Sequence, residues 1–388
     1  MAAYFWVGGT GTWDNTTNTN WATVTGGAGG FGPPTSADTA TFDASSGTGT
    51  CTTASTATCD SPTLNTANIL LVCGANFTIT NRFTLTLGSF NLNNFTLSTQ
   101  FFASNNSGVR SIAFGTGQIT LTGGNTGGVL LDMQTATNFS YTGTSKLVST
   151  YAGALLTRNF RFGSTAGASE ANVMNLSITA GTDILSVVGS FLTLDYTGFS
   201  GTGTPAGNQA VYRDLILSTG MTIGAAAPSC GFYATSGIQK ITTSGKTLDY
   251  PLIFGFNATS SATTFQLQDG LTQGATRTCT LSSGTLKLKA SVTSTVGSFV
   301  ATSGTMKYIS STTLNTRATL SQASGTVNAS YLTVQDIAAT GGATWNALWS
   351  SNNVDAGNNS GWTFGAAPLL NAGEYAYVLR SFTTPRRF

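Results

Sequence analysis

Along most of this chain apolar and polar side chains alternate one by one, in short runs separated by turn residues. Phe77-Thr78-Ile79-Thr80, Phe83-Thr84-Leu85-Thr86-Leu87, Phe90-Asn91-Leu92 and Phe95-Thr96-Leu97 follow one another, with Asn81, Gly88 and Asn93-Asn94 between them. Successive side chains of a strand point to opposite faces, so a period of two predicts strands with one buried face. The pattern returns at 117–121, 175–178, 191–194 and 214–217. Between 283 and 329 one phrase occurs three times: Ser283-Gly284-Thr285-Leu286-Lys287-Leu288, Ser303-Gly304-Thr305-Met306-Lys307-Tyr308 and Ser324-Gly325-Thr326-Val327-Asn328-Ala329. Its glycines lie 20 and then 21 residues apart. A repeat of that length predicts a solenoid, whose units bury their apolar face only by stacking on neighbours. A rung of this size holds three short strands and three turns, and about fourteen rungs would make a rod on the order of 65 Å long. The stretches 102–110, 150–172 and 196–210 break the alternation and are expected to be loops projecting from the rod.

The large aromatics sharpen the picture. All six tryptophans fall in the first 21 residues or after 344: Trp6, Trp13, Trp21, Trp345, Trp349 and Trp362. The first and last rungs of a solenoid have no neighbour on one side, and bulky rings placed there close the exposed core. The alternative is that some rings face solvent as platforms for sugars. The expected fold is therefore all-β: a right-handed parallel β-helix with Trp-rich caps at both ends. Residues 1–48 read as an N-terminal cap or attachment segment, 49–330 as the β-helix body, 331–365 as a C-terminal cap and 366–388 as an extended basic tail arm.

Composition agrees with an all-β array. Only 8% of the 388 residues are charged while 40% are hydrophobic, with 23 Phe and 11 Tyr, enough to bury a long core and to argue against disorder. A net charge of +2 is too small for a general nucleic-acid-binding role. Arg380, Arg386 and Arg387 make the last nine residues locally basic, either as a solvated end or for docking onto an acidic partner. The opening Met1-Ala2-Ala3-Tyr4-Phe5-Trp6 lacks the basic start and apolar run of a signal peptide, and no apolar run is long enough to span a bilayer. We expect no membrane insertion, and export only as part of a larger object or by a route without a cleaved leader.

The chemistry on offer is narrow. With no His, a Ser-His-Asp or Cys-His arrangement is absent, and no cluster suggests a metal or a cofactor. Cys51, Cys59, Cys73, Cys230 and Cys279 show no C-x-x-C spacing; buried thiols are the expectation, with a Cys51–Cys59 bridge the one pairing considered. Carboxylates remain. Asp183, Asp195, Asp214 and Asp269 lie in the β region, and stacked rungs could bring two of them within the roughly 5 to 9.5 Å that glycoside hydrolysis uses. Asp bonding its own turn is the ordinary role. Asn76, Asn94, Asn138, Asn175 and Asn257 sit in N-x-S/T triplets, as chance supplies in a chain this rich in Asn and Thr.

The two ends carry a resemblance. Tyr4-Phe5-Trp6-Val7-Gly8-Gly9-Thr10-Gly11-Thr12-Trp13-Asp14, Asn20-Trp21 and Pro34-Thr35-Ser36-Ala37-Asp38-Thr39-Ala40-Thr41-Phe42-Asp43, with Gly341-Gly342-Ala343-Thr344-Trp345 and Asn358-Asn359-Ser360-Gly361-Trp362, are similar to β-helical structural proteins of tailed bacteriophages. Related openings occur in bacterial surface adhesins. The resemblance implies a virion component of the tail-fibre, tailspike or head-decoration kind, commonly a homotrimer, assembled in the host cytoplasm and displayed on the particle. Its partners would be other copies of itself, phage tail or capsid proteins, and host-surface glycans. The tryptophans and the three C-terminal arginines are then the expected assembly or docking residues. Enzymatic members of this group degrade polysaccharide with paired carboxylates in a groove, and no such pair is placed by this sequence.

Overall fold

A computed structural model describes residues 1–124, 128–154, 157–163, 169–224, 229–256, 262–302 and 304–365, with the backbone alone at 204–208. The tail arm 366–388, with Arg380, Arg386 and Arg387, lies outside the described residues, as do Ser303 and Asn257. Within the described residues the chain is a β-solenoid of about 13 turns, and its only helix is a 3-10 turn at Trp349–Ser351.

The alternation read from the sequence is what builds it. Phe77 pairs with Leu97, Leu97 with Ile119, Ile119 with Leu147, Leu147 with Leu176, Leu176 with Leu194 and Leu194 with Leu215, all in parallel register. These residues are all buried and form one inward column of a 14-stranded sheet. A 19-stranded sheet supplies two further columns, since its long strands Ser61–Cys73 and Arg82–Asn91 each pair with two different strands at their two ends, and toward the C-terminus five- and three-stranded sheets join the wall. At the inter-strand spacing of about 4.8 Å, thirteen steps give a stack on the order of 60 Å long. Like residues meet in the columns, as with Phe83 on Phe102 (5.6 Å, 1°) and Phe232 on Phe254 (4.8 Å, 8°). One continuous apolar cluster runs from Trp6 to Ala347.

The turns are less regular than the Ser-Gly-Thr phrase predicts. Eighteen residues separate Leu176 from its partner Leu194, whereas 29 separate Leu147 from Leu176. The three phrases do not stack on one another. Gly284 faces Lys307 rather than Gly304, and Thr326–Asn328 belongs to a different sheet, opposite Thr344–Asn346. The phrase recurs because turn chemistry recurs, while coil length drifts beneath it.

This distinction is testable. Gly284 has φ +78°, and a Cβ there would meet the Thr263 carbonyl oxygen at 2.7 Å; at Gly304 nothing lies within 4 Å of an added Cβ. Gly284→Ala is expected to lower stability by about 1–3 kcal/mol and Gly304→Ala by much less, measured side by side by urea unfolding. Equal losses would mean that the two phrases share one structural role.

Two expected loops contain strands. Thr157–Phe162 pairs along its length with Ile184–Phe191, and Thr202–Val211 continues the same wall. The first was disguised because an inward position holds Arg158, the second because Gly and Pro interrupt its apolar pattern. In the 102–110 stretch only 104–109 leaves the sheet. It is pinned from inside by the buried Arg110, whose guanidinium donates to Ser104 Oγ (2.7 Å), Ser104 O (2.9 Å), Gly108 O (2.8 Å), Thr137 O (2.9 Å) and Thr135 O.

At the N-terminal end Ala3–Trp6 pairs parallel with Thr39–Phe42 and antiparallel with Trp21–Ala22. Every other pairing among the described strands is parallel. At the other end parallel pairing continues through 331–363 without a break, from Leu332–Gln335 to Val354–Asp355 and from Thr344–Asn346 to Trp362–Thr363.

Candidate functional surface

Among the described residues, each one singled out by sequence has a definite place. Trp6, Trp13 and Trp21 are 0% exposed and meet edge to face, Trp6 and Trp13 each 5.1 Å from Trp21, with Phe42 and Phe77 closing the cluster. Trp6 Nε1 donates to Gly9 O at 3.1 Å. Trp345 is buried too, 5.0 Å from Trp362, and donates to Thr340 O. Trp349 and Trp362 are half-buried. Four of the six indoles thus present no face to a sugar or a partner; they fill the stack.

The four carboxylates are occupied. Asp183 is fully buried against Arg158, at 2.6 Å to Nε and 2.8 Å to Nη2; Arg158 also donates to Ser149 Oγ (2.7 Å) and Ala180 O (2.8 Å). The rings of Tyr151 and Phe199 stand 5.4 and 5.7 Å from that guanidinium. Asp195 accepts from the Thr197 N–H at 2.9 Å, Asp214 from the Lys240 N–H at 2.8 Å, and Asp269 from the N–H groups of Thr243 and Ser244 at 2.9 and 2.6 Å. These are turn and ladder bonds of the kind Asp ordinarily makes. Asn76 and Asn175 likewise serve the ladder, through Thr96 N and Ser145 O. Asn94 and Asn138 sit in left-handed turns.

All five cysteines are buried free thiols, so Cys51 and Cys59 are not bridged. Burial pushes Cys73, Cys230 and Cys279 up to about 12 and Cys51 and Cys59 well above a thiol's ordinary range. Such thiols are closed to redox and nucleophilic chemistry at neutral pH. Among the described residues no group of three acidic or Cys side chains is placed to hold a metal, and no helix is long and apolar enough to cross a membrane.

One open feature among the described residues is a groove that sequence reasoning missed. On the outer face of the 14-stranded sheet a groove of about 390 Å³ crosses three successive strands, Gly284–Leu288, Lys307–Ser311 and Leu332–Gln335. Tyr308 lies between Thr285 and Thr333, and Ser310 between Lys287 and Gln335. Tyr308 is 41% exposed, and Leu314, 67% exposed, also lines the groove. The period-two reading marked these positions only as outward; their meeting across coils depends on coil lengths of 23 and 25 residues that no fixed repeat supplies.

No family model matches the chain, and neither the curated proteins nor the solved structures contain a match to it.

Proposed function

We propose that the chain is a non-enzymatic structural protein of a tailed-bacteriophage particle, a β-solenoid fibre, spike or head-decoration subunit carried on the virion surface as a homotrimer. The observation that carries this reading is the filled interior: one apolar core continuous along about 13 turns, with every carboxylate considered for catalysis engaged in holding the stack. A wall built this way transmits load and spaces its ends, and its outward Thr, Ser and Asn side chains keep it hydrated with little charge. The likeness of both chain ends to phage β-helical proteins supplies the particle. Host-surface attachment would fall to the exposed outer faces.

The test has two parts. Electron microscopy with mass measurement on the isolated chain should show a trimer of rods, and immunogold labelling of purified particles should place the chain on tail or head. A monomer together with unlabelled particles would end the proposal. The competing reading, a glycan depolymerase, predicts new reducing ends when host capsular or lipopolysaccharide glycan is incubated with the protein.

A further inference from the structure

About halfway along the stack one inward column changes character. Leu185 is followed in register by Gly203 and then by Ile223, so one inward position carries no side chain. The Met221 methyl carbon leans toward it, 2.6 Å from where a Cβ on Gly203 would stand. The wall is interrupted at the same level: Thr202–Val211 pairs with Thr222–Ile223 at one end and with Cys230–Phe232 at the other. Side-chain volume missing from a packed interior leaves a gap. Here it is a cavity of about 20 Å³, whose apolar lining includes Gly203, Leu217 and Met221.

Three polar residues line it as well. Tyr196 and Tyr250 are 5% and 3% exposed, and they belong to the coils on either side of the one that carries Met221. Gln209 is equally buried and donates from Nε2 to Val187 O at 3.0 Å. Among the described residues neither phenol oxygen has a hydrogen-bond partner, and neither has Gln209 Oε1. Burial holds both phenols well above their ordinary ionisation, so each keeps its proton and can donate as well as accept. Hydroxyls hidden in this way cost stability unless they are bonded. A cavity of roughly 10–15 Å³ is enough for a water, provided that two to four polar groups surround it. Both conditions are met. We infer that this cavity is the binding site of one ordered water, held by Tyr196, Gln209 and Tyr250 and joining two coils across the coil between them. Its size excludes a larger ligand, and its neutral donors and acceptors suit water better than an ion. The inference concerns the interior alone, so particle labelling and the experiment below fail independently.

The test turns on the sign of two substitutions in the full chain. Removing an unbonded buried hydroxyl leaves the urea midpoint unchanged or raises it, whereas removing the partner of a bound water lowers it. Tyr196→Phe and Tyr250→Phe are each expected to lower the midpoint by roughly 0.3 M. The double change should lower it by less than the sum, because both hydroxyls act on one water. Tyr308→Phe, which alters an exposed ring on the outer face, should leave it in place. A high-resolution crystal structure of the parent should show density within hydrogen-bond reach of both phenol oxygens. An unchanged or raised midpoint in either single variant, losses that add in full, or a parent cavity without density would overturn the inference.

Discussion

Asp183→Asn is expected to cost about 3–5 kcal/mol, because it removes one partner of an ion pair that is wholly inside the solenoid. Arg158 would keep Ser149 and Ala180 O but lose its counter-charge, and no water reaches it. The damage should be local before it is global, since each coil leans only on its neighbours. Hydrogen exchange should therefore rise first in Thr157–Phe162 and Ile184–Phe191, the paired strands that carry or border the pair. The double change Arg158→Met with Asp183→Leu is expected to recover most of the loss, because desolvating the ions offsets much of their attraction. An Asp183→Asn protein within 1 kcal/mol of the parent by urea unfolding would contradict this account.

Alkali is expected to unfold the protein earlier than its low charge suggests. A thiol held above its ordinary 9.0 keeps its proton in the fold and loses it on unfolding. Between that value and about 12 the unfolded chain binds fewer protons, so stability falls as pH rises. Cys73, Cys230 and Cys279 together should remove about 4 kcal/mol by pH 10 and about 8 by pH 11. Cys51, Cys59 and the buried Tyr196 and Tyr250 are shifted the same way. Whole-protein stabilities of about 5–15 kcal/mol place the midpoint of alkaline unfolding near pH 11. Lys307 acts in the opposite sense. Burial lowers it to about 8, so it costs stability at neutral pH and that cost fades as pH climbs toward 10.5. Lys307→Met should accordingly stabilise the protein at pH 7 and lose that advantage near pH 10. Circular dichroism across pH 7–12 checks both. Stability that is flat to pH 11, or a Lys307→Met gain that grows with pH, would refute them.

What the sequence made legible was periodicity, because alternation such as that of 83–87 reports directly which side chains face inward. Coil phase was not legible. The Ser-Gly-Thr phrase marks corners, and corners vary in length, so the 20-residue count put Gly304 under Gly284 where Lys307 lies. Inward charges hid too: Arg158 breaks the apolar pattern of a strand that is nonetheless buried, since its partner Asp183 is 25 positions away. The groove at Tyr308 was invisible for the same reason as the phase, as it exists only once three strands are set in register. Of the tryptophans, Trp6, Trp13, Trp21 and Trp345 are buried in the core while Trp349 and Trp362 are half-buried, a difference that clustering in the sequence does not reveal.

The unequal coil lengths carry a consequence for how such a chain changes over time. Walls are held in register by columns in which each inward residue answers to two others, so a deletion inside a strand shifts every contact that follows. The corners answer to no such count, as 18 and 29 residues close the same geometrical step. Lengthening or replacing a corner therefore alters what the rod displays while leaving its course unchanged. A molecule of this design can acquire a new exterior by insertion while its interior stays the same.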